Sequence, residues 1–213
     1  MTAAATLARL CGGAVATAMA EAKTALPPWP EEADAVIRAV PARRAEFAGG
    51  RAAARAAIAS LGLDPVPIPM GPDRAPRWPV GLVGSIAHDR GLCLAAVGRR
   101  SEVAALGIDL EPAAPLDPAL ADEIASTAEQ DAAGDAGPLA LRRIFSAKEA
   151  VYKAQYPLSG LVLEFADLSV TLAPGGFDAR FLRRAGPIPE GAVWAGRQAL
   201  GADRIVTAFV MTI

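Results

Sequence analysis

Residues 107–112, "GIDLEP", decide how the rest of the chain is read. They close the run "AALGIDLEP", residues 104–112, which reads as a strand ended by Pro112. Period-two alternation sends Ile108 and Leu110 to one face and Asp109 and Glu111 to the other, with the two carboxylates about 7 Å apart. Two readings are open. The acids lie on the solvated face of an edge strand, or a divalent cation draws oxygens from both. No base stands beside them in the sequence, and that favours the cation.

Upstream of this strand, residues 1–25 read as an alanine-rich helix stopped by the prolines of "ALPPWPEE". A second helix follows Pro41 and ends at Gly62. Residues 63–79 hold six prolines and form a rigid connector without regular structure. "VGLVGSIAHD" and "LCLAAVG", flanking Arg90 and Gly91, read as a β-hairpin. Downstream, helical stretches are expected at 117–133 and at 138–156, the latter stopped by Pro157. Short β patterns then follow in "LVLEFADLSVTL", "FDARFLRR", "GAVWAGR" and "RIVTAFVMTI". Helix followed by antiparallel strands thus occurs twice, which predicts an α+β protein of two halves, 1–106 and 107–213.

Composition narrows the function. A net charge of -2 over 213 residues gives no global attraction to nucleic acid or acidic membrane, so any anion must meet a local cluster of bases. Cys11 and Cys93 suit neither a zinc site nor a disulfide framework. "LARLCGGAVATAMAEAK", residues 7–23, has only the outline of a leader, interrupted by Gly12 and Gly13, so a cytoplasmic setting is expected. No apolar run reaches the ~20 residues of a membrane span. P-loop, dinucleotide and G-x-S-x-G signatures are absent from the sequence.

Three further clusters carry chemistry. In "RRIFSAKEAVYKA", helical plotting puts Leu141, Ile144, Phe145, Val151 and Tyr152 on an apolar arc, with Arg142, Ser146, Glu149 and Lys153 on an adjoining face. Glu149 and Lys153 are an i,i+4 pair, common on surfaces. Lys148 points into the apolar arc and must snorkel or meet an anion. On the helix over 43–61, Arg44, Arg51 and Arg55 share a sector of about 40°, with Arg43 on the neighbouring face. This face is either a solvated basic surface or an anion site, since only Glu46 lies nearby to offset the like charges. The single histidine, His88, ends the strand "GSIAHD".

Taken in order, "RRAEFAGGRAAAR", "WPVGLVGSIAHDRGLCLAAVG", "GIDLEP", "STAE" ending at Glu129, and "FSAKEAVYKA" followed by "YPL" resemble the Sfp-type 4'-phosphopantetheinyl transferases, in the branch of enterobactin-synthase component D. The resemblance implies a cytoplasmic monomer of two similar, pseudo-twofold α+β subdomains with the active site in the cleft between them. It implies transfer of the phosphopantetheine arm of coenzyme A to a serine of an apo acyl or peptidyl carrier protein, with the pathway, siderophore, polyketide or fatty-acid synthesis, left open. It further implies that Asp109, Glu111 and Glu149 hold Mg²⁺, or Mn²⁺ in its place, with Glu149 and Lys153 catalytic. Arg43 and Arg51 are then expected at the 3'-phosphate and adenosine end, and Ser85, His88, Lys148 and Lys153 along the phosphates. Two positions depart from the pattern: Ala87 replaces a common serine and Met70 a common lysine. They motivate the alternative of a coenzyme A or nucleotide-binding module without catalysis.

Overall fold

A computed structural model describes residues 2–134, 137–201 and 203–213. The fold is α+β, with two compact units, residues 2–106 with 211–213 and residues 107–210. Each is a 20-residue helix packed on an antiparallel sheet.

In the N-terminal unit, α1 (Ala3–Cys11) is shorter than the sequence suggests. The Thr2 side chain caps its start, accepting from the Ala5 amide at 3.2 Å, and Gly12, at φ 78°, ends it. The chain then turns into β1 (Val15–Glu21), whose alternation is masked by small residues. β1 pairs antiparallel with β3 (Leu92–Arg99), and β3 with β2 (Leu82–Asp89). Arg90 and Gly91, at φ 44° and 79°, make the two-residue turn between β2 and β3, a geometry that needs positive φ at both positions. Between β1 and the sheet's other strands in sequence lie the single turn α2 (Pro30–Ala33) and α3 (Pro41–Ser60).

α3 sits close on this sheet because glycine and alanine make up most of the face it turns to the strands. A Cβ at Gly49 would come within 2.7 Å of the Cys93 Sγ, and one at Gly50 within 2.9 Å of Ile86. Ala53, Ala54, Ala57, Ala95 and Val97 share the core with Ile58, Ile68 and Leu82. The proline-rich connector is irregular apart from a bridge between Met70 and Pro76, and it contributes fully buried Ile68.

In the C-terminal unit the five-stranded sheet runs in the order β4 (Val103–Pro112), β8 (Arg204–Thr212), β7 (Val193–Leu200), β6 (Gly176–Phe181), β5 (Leu168–Ala173). The helix expected over 117–133 is broken. A 3-10 turn at Pro118–Leu120 leads to α4 (Ala121–Ile124), and Ser126 restarts the chain as α5 (Thr127–Ala132) through a capping box with Glu129. α6 (Ala140–Ser159) runs through Pro157 and stops at Gly160, which is left-handed at φ 66°. Of the stretch expected as strand over 161–172, the first part is a connector and a 3-10 turn at Phe165–Asp167, and the strand begins only at Leu168.

α6 is fixed in register on its sheet by a buried polar chain. Ser146 Oγ lies 2.7 Å from Thr207 Oγ1, Gln198 donates to Thr207 at 3.0 Å and to the Arg143 carbonyl at 3.1 Å, and Arg143 donates back to Gln198 at 2.8 Å. Buried polar groups paired this fully favour one register over its neighbours. At Gly107 the helix backbone reaches β4 itself, because a Cβ there would collide with the Ala150 carbonyl.

Candidate active site

The close approach at Gly107 brings the acids of β4 to the polar face of α6. Asp109 is 5% exposed, so the acids do not lie on a solvated outer face. Its Oδ1 accepts from Lys153 at 2.7 Å, and Lys153 lies 3.8 Å from Glu149. Its Oδ2 is buried and has no hydrogen-bond partner among the described residues. Glu111 accepts from Arg142 at 2.7 Å, while the same guanidinium donates to the carbonyls of Ala114 and Pro115 at 3.0 and 3.2 Å.

The shortage of bases near these acids is therefore a property of the sequence and not of the structure. Lys153 and Arg142 stand 44 and 31 residues downstream and arrive on α6. Among the described residues, no three His, Cys, Asp or Glu side chains are gathered into a ready metal cage. Lys153 stands between Asp109 and Glu149, and Glu111 turns to Arg142.

The electrostatics follow from this crowding. Burial pushes the Glu149 carboxyl above the ordinary range, Lys153 opposes this, and Asp109 adds to it. For Lys153, burial works toward the neutral amine, but Asp109, Glu149 and Glu111 together outweigh it and hold the group above its usual value. Lys153 is thus a firmly charged ammonium beside a carboxylate with an unshared lone pair.

Lys148 meets an anion, as its place in the apolar arc requires, and that anion belongs to the protein. It is 2% exposed, and its three protons are engaged by the Ile124 carbonyl at 2.8 Å, the Glu129 carboxylate at 2.9 Å and the Phe165 carbonyl at 2.9 Å. Burial pulls its pKa down against the pull of Glu129. No donor remains for a phosphate. Glu129, also buried, accepts from the amides of Ser126 and Val170 at 2.9 and 2.7 Å, so it too is committed to the protein.

Beside Glu149 and Lys148 opens a pocket of about 370 Å³. Tyr152, Leu163, Phe165 and Leu168 supply its apolar lining, and Glu123 and Glu164 add acidic groups. The volume falls in the range of about 300–1,000 Å³ usual for small-molecule sites. Neither the pocket nor Glu123 and Glu164 was evident from the sequence, because the lining comes from separate segments.

In the N-terminal unit the basic face of α3 resolves into different roles. Arg55 is buried in a double contact with Glu32, at 2.7 and 2.8 Å, and stacks 4.5 Å over Trp29. Glu32, from α2, also accepts from the Ile68 amide at 2.9 Å. The counter-charge to the arginines is thus Glu32, unrecognised in the sequence because it lies 23 residues from Arg55. Arg44 donates to the Ala39 carbonyl.

Arg51 is different. Its Nε donates to the Ile68 carbonyl at 2.6 Å and its guanidinium stacks 4.2 Å over Phe47, which leaves its terminal nitrogens without a hydrogen-bond partner among the described residues. It is 6% exposed, and burial lowers its pKa to about 10, with Glu32 opposing and Arg43 and Arg55 assisting. Arg43 donates to His88 Nε2 at 2.8 Å, and the opposite ring nitrogen, Nδ1, lies 3.6 Å from Glu46. A guanidinium can only donate, so Nε2 accepts and the neutral ring carries its proton on Nδ1, toward Glu46. Ser85 does not share this surface. β2 pairs without a bulge, so Ser85 and Ala87 face away from His88.

Residues 31–98 match the 4'-phosphopantetheinyl transferase N-terminal domain family, and residues 105–207 the 4'-phosphopantetheinyl transferase superfamily. The chain is 44% identical to the 4'-phosphopantetheinyl transferase Svp of Streptomyces mobaraensis, over 86% of this chain and 78% of that protein. It is 42% identical to the 4'-phosphopantetheinyl transferase PptT of Mycobacterium tuberculosis, over 75% and 72%. With the enterobactin synthase component D of Salmonella typhimurium it shares 39% identity, over 59% and 54%.

Proposed function

Because the chain belongs to the 4'-phosphopantetheinyl transferase superfamily, we propose that it moves the 4'-phosphopantetheine arm of coenzyme A onto a serine of an apo acyl or peptidyl carrier protein, in the cytoplasm and as a monomer. The carriers of siderophore or polyketide synthesis are its intended partners. The observation that carries the reading is the buried Asp109, paired through one oxygen with Lys153 and orphaned at the other. An unpaired buried carboxylate oxygen costs free energy until a cation meets it.

The donors fit Mg²⁺, which takes hard oxygen ligands and shares them with substrate phosphates. Asp109, Glu111 and Glu149 are the residues that would hold it, and Glu111 would do so only where it is not paired with Arg142. When bound, such an ion would supply neutralisation of charge on the pyrophosphate. The carrier serine Oγ bonds to the pantetheine-bearing phosphorus as the bond from that phosphorus to the departing bisphosphate oxygen breaks. The serine proton passes to Glu149, directly or through a water, a role suited to a carboxylate whose proton affinity burial has raised. Lys153 stays charged and steadies the departing adenosine 3',5'-bisphosphate.

The pocket beside Glu149 receives the pantetheine arm, its apolar lining along the chain of methylenes and methyls. Arg51, whose terminal nitrogens are unshared, takes the 3'-phosphate, with Arg43 and His88 beside it on the same helix–strand surface. Intact-mass spectrometry of apo carrier protein, incubated with this protein, coenzyme A and Mg²⁺, tests the reading. One added phosphopantetheinyl group, lost with EDTA and in Asp109→Ala, is expected. No mass gain on any carrier while coenzyme A remains bound would refute it.

A further inference from the structure

Lys148 has no task in the chemistry above, yet the fold spends a buried ammonium on it. We propose that Lys148 is a positioning residue that shapes the pocket for the pantetheine arm and makes no contact with the phosphates of coenzyme A. The proposal rests on the reading that this pocket holds the arm.

The three protons of Lys148 run to three separate segments: the end of α4 at Ile124, α5 at Glu129, and the 3-10 turn at Phe165. Through Glu129 the clamp extends to the Val170 amide of β5. The pocket is walled by these same segments, with Glu123 beside Ile124, Phe165 itself, and Leu168 two residues from Val170. The lysine rises from α6 immediately before Glu149, so one helical turn sets both the reacting acid and the wall of the pocket. Few apolar contacts hold α4 and α5, which are four and six residues long, so directed hydrogen bonds decide where they sit. Removing the ammonium would strand two carbonyls and a buried carboxylate, and the wall would move to rehydrate them.

The test uses adenosine 3'-phosphate 5'-diphosphate, which keeps every phosphate of coenzyme A and lacks the arm. Calorimetry with Glu129→Gln and with Lys148→Met/Glu129→Gln should show coenzyme A binding weakened about tenfold or more, and the armless ligand changed less than about twofold. KM for coenzyme A should rise more than kcat falls. Equal losses for both ligands would make Lys148 a phosphate ligand and overturn the proposal, as would a loss confined to the Lys148 substitution. Should these variants fail to fold, lysine acetylation of the unsubstituted protein decides the matter. Lys148 is expected to stay unlabelled with or without coenzyme A, and labelling that coenzyme A suppresses would overturn the clamp. Failure of the unsubstituted protein to bind coenzyme A would sink the proposed function itself, an outcome distinct from any variant-specific loss.

Discussion

Gly107→Ala should separate the alignment of the catalytic groups from their presence. A Cβ at this position lies 2.8 Å from the Ala154 nitrogen and 2.9 Å from the Ala150 carbonyl carbon, and closer still to the Ala150 oxygen. Ordinary contacts begin about 3.5 Å apart, so α6 must retreat from β4 by about 0.7 Å to clear the nitrogen and by roughly 1.5 Å to clear the oxygen. Overpacking of this kind costs about 1–3 kcal/mol, against a total stability of about 5–15 kcal/mol, so the variant should remain folded. The 2.7 Å contact between Lys153 and Asp109 would not survive intact. A misplacement of about 1 Å at reacting groups costs roughly a hundredfold in rate. Carrier modification would be followed by mass spectrometry beside a thermal melt, with Gly13→Ala, whose Cβ meets nothing within 4 Å, as control. A folded Gly107→Ala protein with unreduced turnover would refute the reasoning, because the approach of α6 to β4 would then be irrelevant to the chemistry.

Arg51→Ala should weaken coenzyme A by about 10- to 100-fold, the worth of a charge-assisted hydrogen bond, and dephospho-coenzyme A much less. Equal losses by calorimetry would remove Arg51 from the 3'-phosphate. Cys93 is fully buried, and its thiol is pushed up to about 11 by burial first and Glu46 second, so it should resist iodoacetamide at pH 8 until the protein unfolds. Rapid labelling of the native protein, read by peptide mass, would contradict this. Asp167 is held below the ordinary aspartate range, chiefly by the hydrogen bond from Arg183 and against the effect of burial. Its folded pKa lies below its unfolded one, so the pair's contribution is present at neutral pH and is lost as pH falls through the depressed value. The urea-midpoint gap between the natural protein and Arg183→Ala should therefore be small, because the pair is partly exposed, and should close in acid. A gap that widens on acidification would reverse the sign.

What could be read in advance was what depends on neighbours in sequence. The β2–β3 hairpin followed from Arg90 and Gly91, β4 from the alternation ending at Pro112, and α6 from the apolar arc around Ile144 and Val151. The misreadings arose where alanine carries no information. β1 looked helical because Ala16, Ala18 and Ala20 suit either state, and Gly12 alone marked the break. Pro157 looked like a stop, but a proline in the last turn removes only one hydrogen bond, and Gly160 ends the helix. Within the candidate site, the motifs single out Asp109, Glu111, Glu149 and Lys153, but not the partners that each meets in the fold. Glu32 with Arg55, Arg142 with Glu111, and Lys148 with Phe165 are pairings across 17 to 31 residues that only the folded chain creates.

The alanine-lined core of the N-terminal unit also bears on how this half responds to temperature. Ala53, Ala54, Ala57 and Ala95 surrender no rotamer entropy on folding, so their packing is bought cheaply, yet each removes little apolar surface from water. Heat capacity of unfolding scales with the apolar surface released. A half held by backbone proximity and small side chains should therefore show a shallow stability curve, with its free energy of folding changing little between cold and warm conditions.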